Sequence, residues 1–205
     1  MEKYWKKRDG EMLKNGNHKL GKDIFNFNLP RSTCTYQTEL CKKYCYAKFG
    51  TFWFRNVRNC MEKNLEESKQ ADFVAQMNAQ LKGLPDAKYI RLHSSGDYYD
   101  QAYYNKWNDI AKANPQITFL SYTRNADIDF SGRAKNLVVY QSVDKTTQKI
   151  NPTLSLKSFI FDKGEHENEH MSYDATRDSF VCNSKCHSCK FCFAGKCNVS
   201  FQLRK

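Results

Sequence analysis

Along most of this chain, apolar residues recur with a period of two, then of three to four, then of two again. Residues 1–22 are polar and aperiodic apart from Trp5 and Leu13, and predict a lead-in. Asp23-Ile-Phe-Asn-Phe-Asn-Leu29 alternates apolar and polar side chains and stops at Pro30, which predicts a first strand. From about Arg58 to Leu81 the spacing predicts one long helix with Met61, Leu65, Phe73, Val74, Met77 and Leu81 inward, stopped by Gly83 and Pro85. Ala87 to His93 predicts a second strand ending in the turn Ser94-Ser95-Gly96-Asp97. A helix follows with Tyr103, Trp107, Ile110 and Ala111 inward, closed at Asn114-Pro115. Further strands are predicted at 117–122, 136–143 and 158–161, and a sixth at 179–181.

Strand–helix alternation of this kind implies parallel strands joined by right-handed crossovers. A complete eight-stranded barrel takes about 250 residues and at least about 200. With 205 residues and short later connections, the chain predicts an α/β fold. The expected form is a small or incomplete parallel TIM-like barrel, with an open doubly wound sheet as the alternative. The predicted organisation is a barrel-like domain over 1–181 and a Cys-rich metal-binding tail over 182–205 packed on it. Chemistry in either architecture belongs at the carboxyl ends of the strands. Strand one runs into three thiols, strand two into His93, Ser95, Gly96 and Asp97, strand three into Thr123 and Arg124, and strand four into Ser142 and Asp144. The candidate catalytic groups are therefore Asp97, His93, Arg124 and Asp144. Ser95, Gly96, Asp97 and Thr123 are placed to bind a cofactor.

Cysteine spacing adds the most specific chemistry. Cys34, Cys41 and Cys45 share one loop, while Cys182, Cys186, Cys189, Cys192 and Cys197 crowd the last 24 residues. Short gaps between thiols let one loop wrap a single ion or cluster. The start Met-Glu-Lys-Tyr-Trp-Lys-Lys-Arg leads into no apolar export segment, and no run is long enough to span a membrane. The expected compartment is a reducing cytoplasm, where such cysteines are metal ligands before disulfides. The eight thiols are expected to hold one or two four-iron four-sulfur (4Fe-4S) clusters, with zinc an alternative in the tail. Cys182, leaving a strand, is the expected fourth ligand of the first cluster. Cys60, beside the long helix, is expected to pack as a small hydrophobe.

A formal net charge of +11 and an isoelectric point near 9.2 suggest a polyanionic partner. Tyr4, Trp5, Lys6, Lys7 and Arg8, and then Phe52, Trp53, Phe54, Arg55 and Arg58, are the basic aromatic stretches suited to nucleic acid. Core aromatics flanked by surface charge would look the same. His166-Glu-Asn-Glu-His170 matches the zinc-peptidase motif, but its glycine-broken polar flanks predict a solvated loop.

Phe27-Asn28-Leu29-Pro30, Thr33-Cys34, Cys41, Cys45-Tyr46-Ala47, Arg91 to Tyr99, Trp107 and Tyr122-Thr123-Arg124 together resemble the phage and mobile-element "gene product 88" family. The closing Cys186-x2-Cys189-x2-Cys192-Phe193 is similar to that family's final cysteines, with Phe193 where Trp is expected. The order of strand, cysteine loop, helix and strand with a Gly-acidic turn also looks like the opening of radical S-adenosylmethionine barrels. That likeness implies a cluster with one open iron and Gly96-Asp97 near the cofactor. The usual Cys-x3-Cys-x2-Cys spacing is absent at Cys34, which argues against S-adenosylmethionine there. It occurs instead at Cys182, Cys186 and Cys189, where no helix or sheet is predicted to follow. Two functions remain: a binding protein of a mobile element gripping nucleic acid or a host protein, and a redox or radical enzyme using an open cluster.

Overall fold

The computed structural model describes residues 11–15, 19–21, 23–162, 167–168, 173–174 and 178–203. Its main sheet has eight strands in the order β1-β2-β3-β4-β5-β6-β10-β9. These are β1 (Lys14–Asn15), β2 (Ile24–Phe27), β3 (Tyr89–Leu92), β4 (Thr118–Thr123), β5 (Leu137–Val143), β6 (Lys157–Phe161), β9 (Phe180–Val181) and β10 (Val199–Gln202). β7 (Glu167–Asn168) and β8 (Tyr173–Asp174) form a separate antiparallel ribbon. All main-sheet pairings are parallel except β1 with β2.

From β2 to β6 the strands lie in chain order, so successive right-handed crossovers put their connections on one face. Register decides which side chains share that face. Phe25, Ile90, Phe119 and Leu137 align across four strands, and Phe27 aligns with Leu92. They bury against α3 (Phe73–Lys82) and α4 (Gln101–Ala113). Trp107 sits at the centre with Phe27 at 5.0 Å and Phe73 at 5.6 Å, both edge-on, an arrangement that adds to area burial.

The sheet does not close, which corrects the barrel expectation. Its two edges are the two-residue strands β1 and β9, and they do not pair with each other. The second face is instead covered by the Cys-rich segment: Phe193 packs with Ile24, Leu120, Tyr140 and Val199, and Cys182, Cys186 and Cys192 lie against the same cluster. Gly195, at φ +60, lets the chain lie on β5, where a Cβ would come within 3.0 Å of Val138. A filling segment takes the place of a far wall, so no barrel closure is needed to bury that face.

Two further expectations change. The long helix is two, α2 (Arg55–Lys69) and α3, separated at 70–72. Leu65 and Phe73 are eight positions apart, an offset of about 80° on a continuous helix, and the break brings both into contact with one core. The Cys-rich segment also is not a terminal appendage. It is the crossover between the parallel strands β9 and β10, which places sheet after it.

Candidate functional site

The Cys34 loop is fastened to the carboxyl edge of the sheet from both sides. Leu29 N–H donates to the Ser95 carbonyl at 3.0 Å, and Asp97 N–H donates to Thr33 Oγ1 at 3.1 Å. The loop then enters α1 (Glu39–Tyr44), whose first turn is capped by Thr38 Oγ1 accepting from Cys41 N–H at 3.2 Å. Burial pushes the Cys34 thiol up to about 12, and Asp97, Cys41 and Cys45 add to the shift. Burial also raises Cys41, with the Arg124 guanidinium opposing it. Cys34, Cys41 and Cys45 all belong to this loop, and each is partly buried. All nine cysteines are free.

Around them lies a polar ring. Arg124 Nη1 meets Asp144 Oδ2 at 2.8 Å, and both side chains are nearly sealed from water. Thr38 Oγ1 donates to the same Asp144 oxygen at 2.6 Å, so the thiol loop is tied to the end of β5. Burial opposes ionisation of Asp144, but Arg124, Thr146 and Thr38 outweigh it and hold the carboxyl below its usual range. Asp97 accepts from Tyr98 N–H at 2.7 Å through Oδ1 and from Arg124 N–H at 2.8 Å through Oδ2. Burial still pushes it up to about 6. Asp97 thus links the ends of β3 and β4, and Thr123 is buried beside it. Gly96 adopts φ +85 against Leu29. The Ser95 hydroxyl and Arg124 Nη2 are buried with no hydrogen-bond partner.

His93 belongs to the helix-side core. Its Nε2 is 2.9 Å from the Tyr103 hydroxyl, and its ring packs edge-on to Tyr98 at 4.7 Å. Burial, with Arg91 adding, lowers it to about 3. A depressed histidine stabilises the fold above its unfolded value near 6.5 and loses that contribution as pH falls toward 3. Stability should therefore fall by about 2 kcal/mol between pH 8 and pH 5 from this residue. Urea titrations across that range should show a flatter profile for His93→Asn; an unchanged slope would place the proton uptake elsewhere.

The second thiol group lies on the opposite face of the sheet from the helices. Burial raises Cys186, opposed by Lys19 and Arg91 and increased by Cys182 and Cys189. Burial pushes Cys192 up to about 11, against the Tyr122 hydroxyl and Arg91, with Cys182 and Cys186 adding. Cys182 packs against the same apolar cluster as Cys186 and Cys192. Cys197 is exposed, and its carbonyl accepts from the Tyr140 hydroxyl at 3.2 Å. Among the described residues, no three His, Cys, Asp or Glu side chains form a ready-made metal site.

Arg91, Tyr122 and Lys19 were not singled out as site residues by the sequence. Arg91 stacks over Tyr122 at 4.4 Å and faces the tail thiols. The available signal was strand alternation, which puts Arg91 opposite Ile90 and Leu92. Glu167–Asn168, inside the peptidase-like motif, is strand rather than the helix that motif needs; His166 and His170 lie outside the described residues, as do Tyr4 to Arg8. No described helix is long and apolar enough to cross a membrane.

Comparison with known proteins gives one consistent result. The sequence profile of the Gene product 88 family matches residues 7–195. The chain is 26% identical to the "Gene 88 protein" of Mycobacterium phage L5, over 84% of this chain and 83% of that protein. No solved structure matches.

Proposed function

Since the chain belongs to the Gene product 88 family, we propose that it is a phage-type iron–sulfur protein binding a 4Fe-4S cluster through Cys34, Cys41 and Cys45. What supports this reading is three free, partly buried cysteines on one loop at the sheet's carboxyl edge, beside a guanidinium nearly sealed from water. The donor set suits a soft, thiophilic iron centre. Burial keeps Cys34 and Cys41 protonated without metal, so loading would release protons. Arg124 would offset the resulting negative charge, and its unpartnered Nη2 together with the Ser95 hydroxyl leaves donors for a bound group. A cluster held there would supply electron transfer, or a ligand site at an open iron. The tail thiols Cys182, Cys186, Cys189 and Cys192 make a second site, for iron or zinc, that would staple the crossover to the sheet.

Anaerobic purification with iron, sulfide and zinc quantitation tests this. The wild-type chain should carry at least about four irons and four sulfides. The triple variant Cys34→Ser, Cys41→Ser, Cys45→Ser should lose four of each, while Cys186→Ser with Cys189→Ser should leave them in place. A loop variant that keeps its full iron content, or a zinc-only wild type, would sink the reading.

One observation favours an enzyme as the second reading. Cys182 packs in the same cluster as Cys186 and Cys192, which would leave a cluster at the first site with three protein thiols and an iron open to substrate. Electron paramagnetic resonance of the reduced protein with and without S-adenosylmethionine decides between them. A signal altered by the cofactor supports the enzyme, and an unaltered one the binding protein.

A further inference from the structure

We infer that residues 40–61 form a binding surface for single-stranded nucleic acid, with Tyr46, Phe49, Trp53 and Phe54 as stacking platforms. Seven large hydrophobic side chains are exposed among the described residues, and five of them fall between Tyr36 and Phe54. Tyr46, Phe49, Trp53 and Phe54 are each about 60% exposed or more (62%, 67%, 61% and 59%). An apolar cluster of this size left in water marks an interaction site more often than chance exposure.

Charge identifies the occupant. The 22 residues from 40 to 61 carry five cations, Lys42, Lys43, Lys48, Arg55 and Arg58, six aromatics and no acidic residue. Lys42 is engaged by Glu39 at 3.1 Å, which leaves four cations for phosphates. Arg58 lies over the Trp53 ring at 5.0 Å and Lys43 over Tyr44 at 5.1 Å, so cations and ring faces are interleaved. An acidic protein surface would be served by the cations alone. Exposed ring faces beside cations suit unpaired bases on a phosphate backbone, whereas a duplex keeps its bases stacked internally. The backbone here runs as two short 3-10 turns, Tyr46–Lys48 and Gly50–Trp53, ahead of α2. These turns project successive rings outward, and the Tyr46 hydroxyl, which donates to the Ser94 carbonyl, anchors the turn to the end of β3.

The test is fluorescence anisotropy with a labelled twelve-residue oligothymidylate, a duplex of equal length and phosphatidylglycerol vesicles, using the full chain. The oligothymidylate should bind in preference to the duplex. Its log affinity should fall with log salt at a slope of about −3 from four phosphate contacts. Trp53→Ala with Phe54→Ala should weaken binding at least about tenfold at constant salt. Arg55→Gln with Arg58→Gln should make the slope shallower by about 1.4. Ile150→Ala, an exposed apolar residue elsewhere, should change nothing, and circular dichroism should be the same for all variants. Equal binding of duplex, affinity unmoved by loss of the two rings, or retention only on anionic vesicles would overturn the proposal. It does not depend on bound metal, and metal quantitation on the same samples separates its failure from failure of the iron–sulfur reading.

Discussion

Replacing Asp144 with alanine is expected to destabilise the protein by about 3–5 kcal/mol, because it strands the Arg124 guanidinium in a site without water. The Asp144 side chain is fully buried and that of Arg124 is 9% exposed. The same substitution removes the acceptor for Thr38 Oγ1, which caps the helix carrying Cys41, so loss of stability and loosening of the thiol loop should appear together. The check is urea denaturation at neutral pH, with the slope confirming a two-state transition. The double variant Arg124→Met, Asp144→Leu should recover much of the loss, since an apolar pair of similar size leaves no buried charge. A single variant within about 1 kcal/mol of wild type would show that water reaches this pair.

Gly96→Ala should cost about 3 kcal/mol for a different reason, combining left-handed backbone strain with overpacking. At φ +85 a new Cβ would stand 2.5 Å from Leu29 Cβ and 2.9 Å from the Leu29 carbonyl oxygen. The obstacle is partly backbone, so no rotamer change relieves it. The Leu29 segment leads directly to Cys34, and relief by backbone movement would displace the loop that carries the first thiol. Thermal denaturation followed by circular dichroism measures the cost. A midpoint unchanged by the substitution would mean that the Ser94–Asp97 turn is softer than its contacts imply.

Much of this arrangement was legible in the sequence, and the exceptions have particular causes. Strands at 24–27, 89–92, 118–123 and 137–143 announced themselves because each alternates or runs apolar between polar turns. The break between α2 and α3 did not, because residues 70–72, Gln-Ala-Asp, contain neither proline nor glycine; only the phase drift between Leu65 and Phe73 recorded it. β10 is not legible because Val199-Ser-Phe-Gln202 is only four residues long and directly follows a cysteine-rich run without apolar alternation. Closure is not legible in the sequence, because strand order in a singly wound sheet is the same whether or not its edges meet.

The site divides along the same line. Residues fixed by strand ends, Asp97, Thr123, Arg124 and Asp144, gather where the alternation placed them. His93 has the same position in the pattern, but its φ of +57 turns the ring into the helix-side core between Tyr98 and Tyr103. Local spacing carries no record of such a backbone turn. Arg91 was hidden for the opposite reason: a charged residue on a strand face reads as solvent-facing until the chain supplies something to cover it. Here the cover is the cysteine crossover of residues 182–198, far later in the sequence.

The iron–sulfur cluster proposed at Cys34, Cys41 and Cys45 would lie at the edge of an open sheet. Mössbauer spectroscopy of the full chain, enriched in iron-57 and prepared without oxygen, tests it most directly. The account predicts the spectrum of a four-iron cluster that disappears when the three loop cysteines are replaced by serine. An iron-free spectrum, or a cluster signal that survives those replacements unchanged, would contradict it.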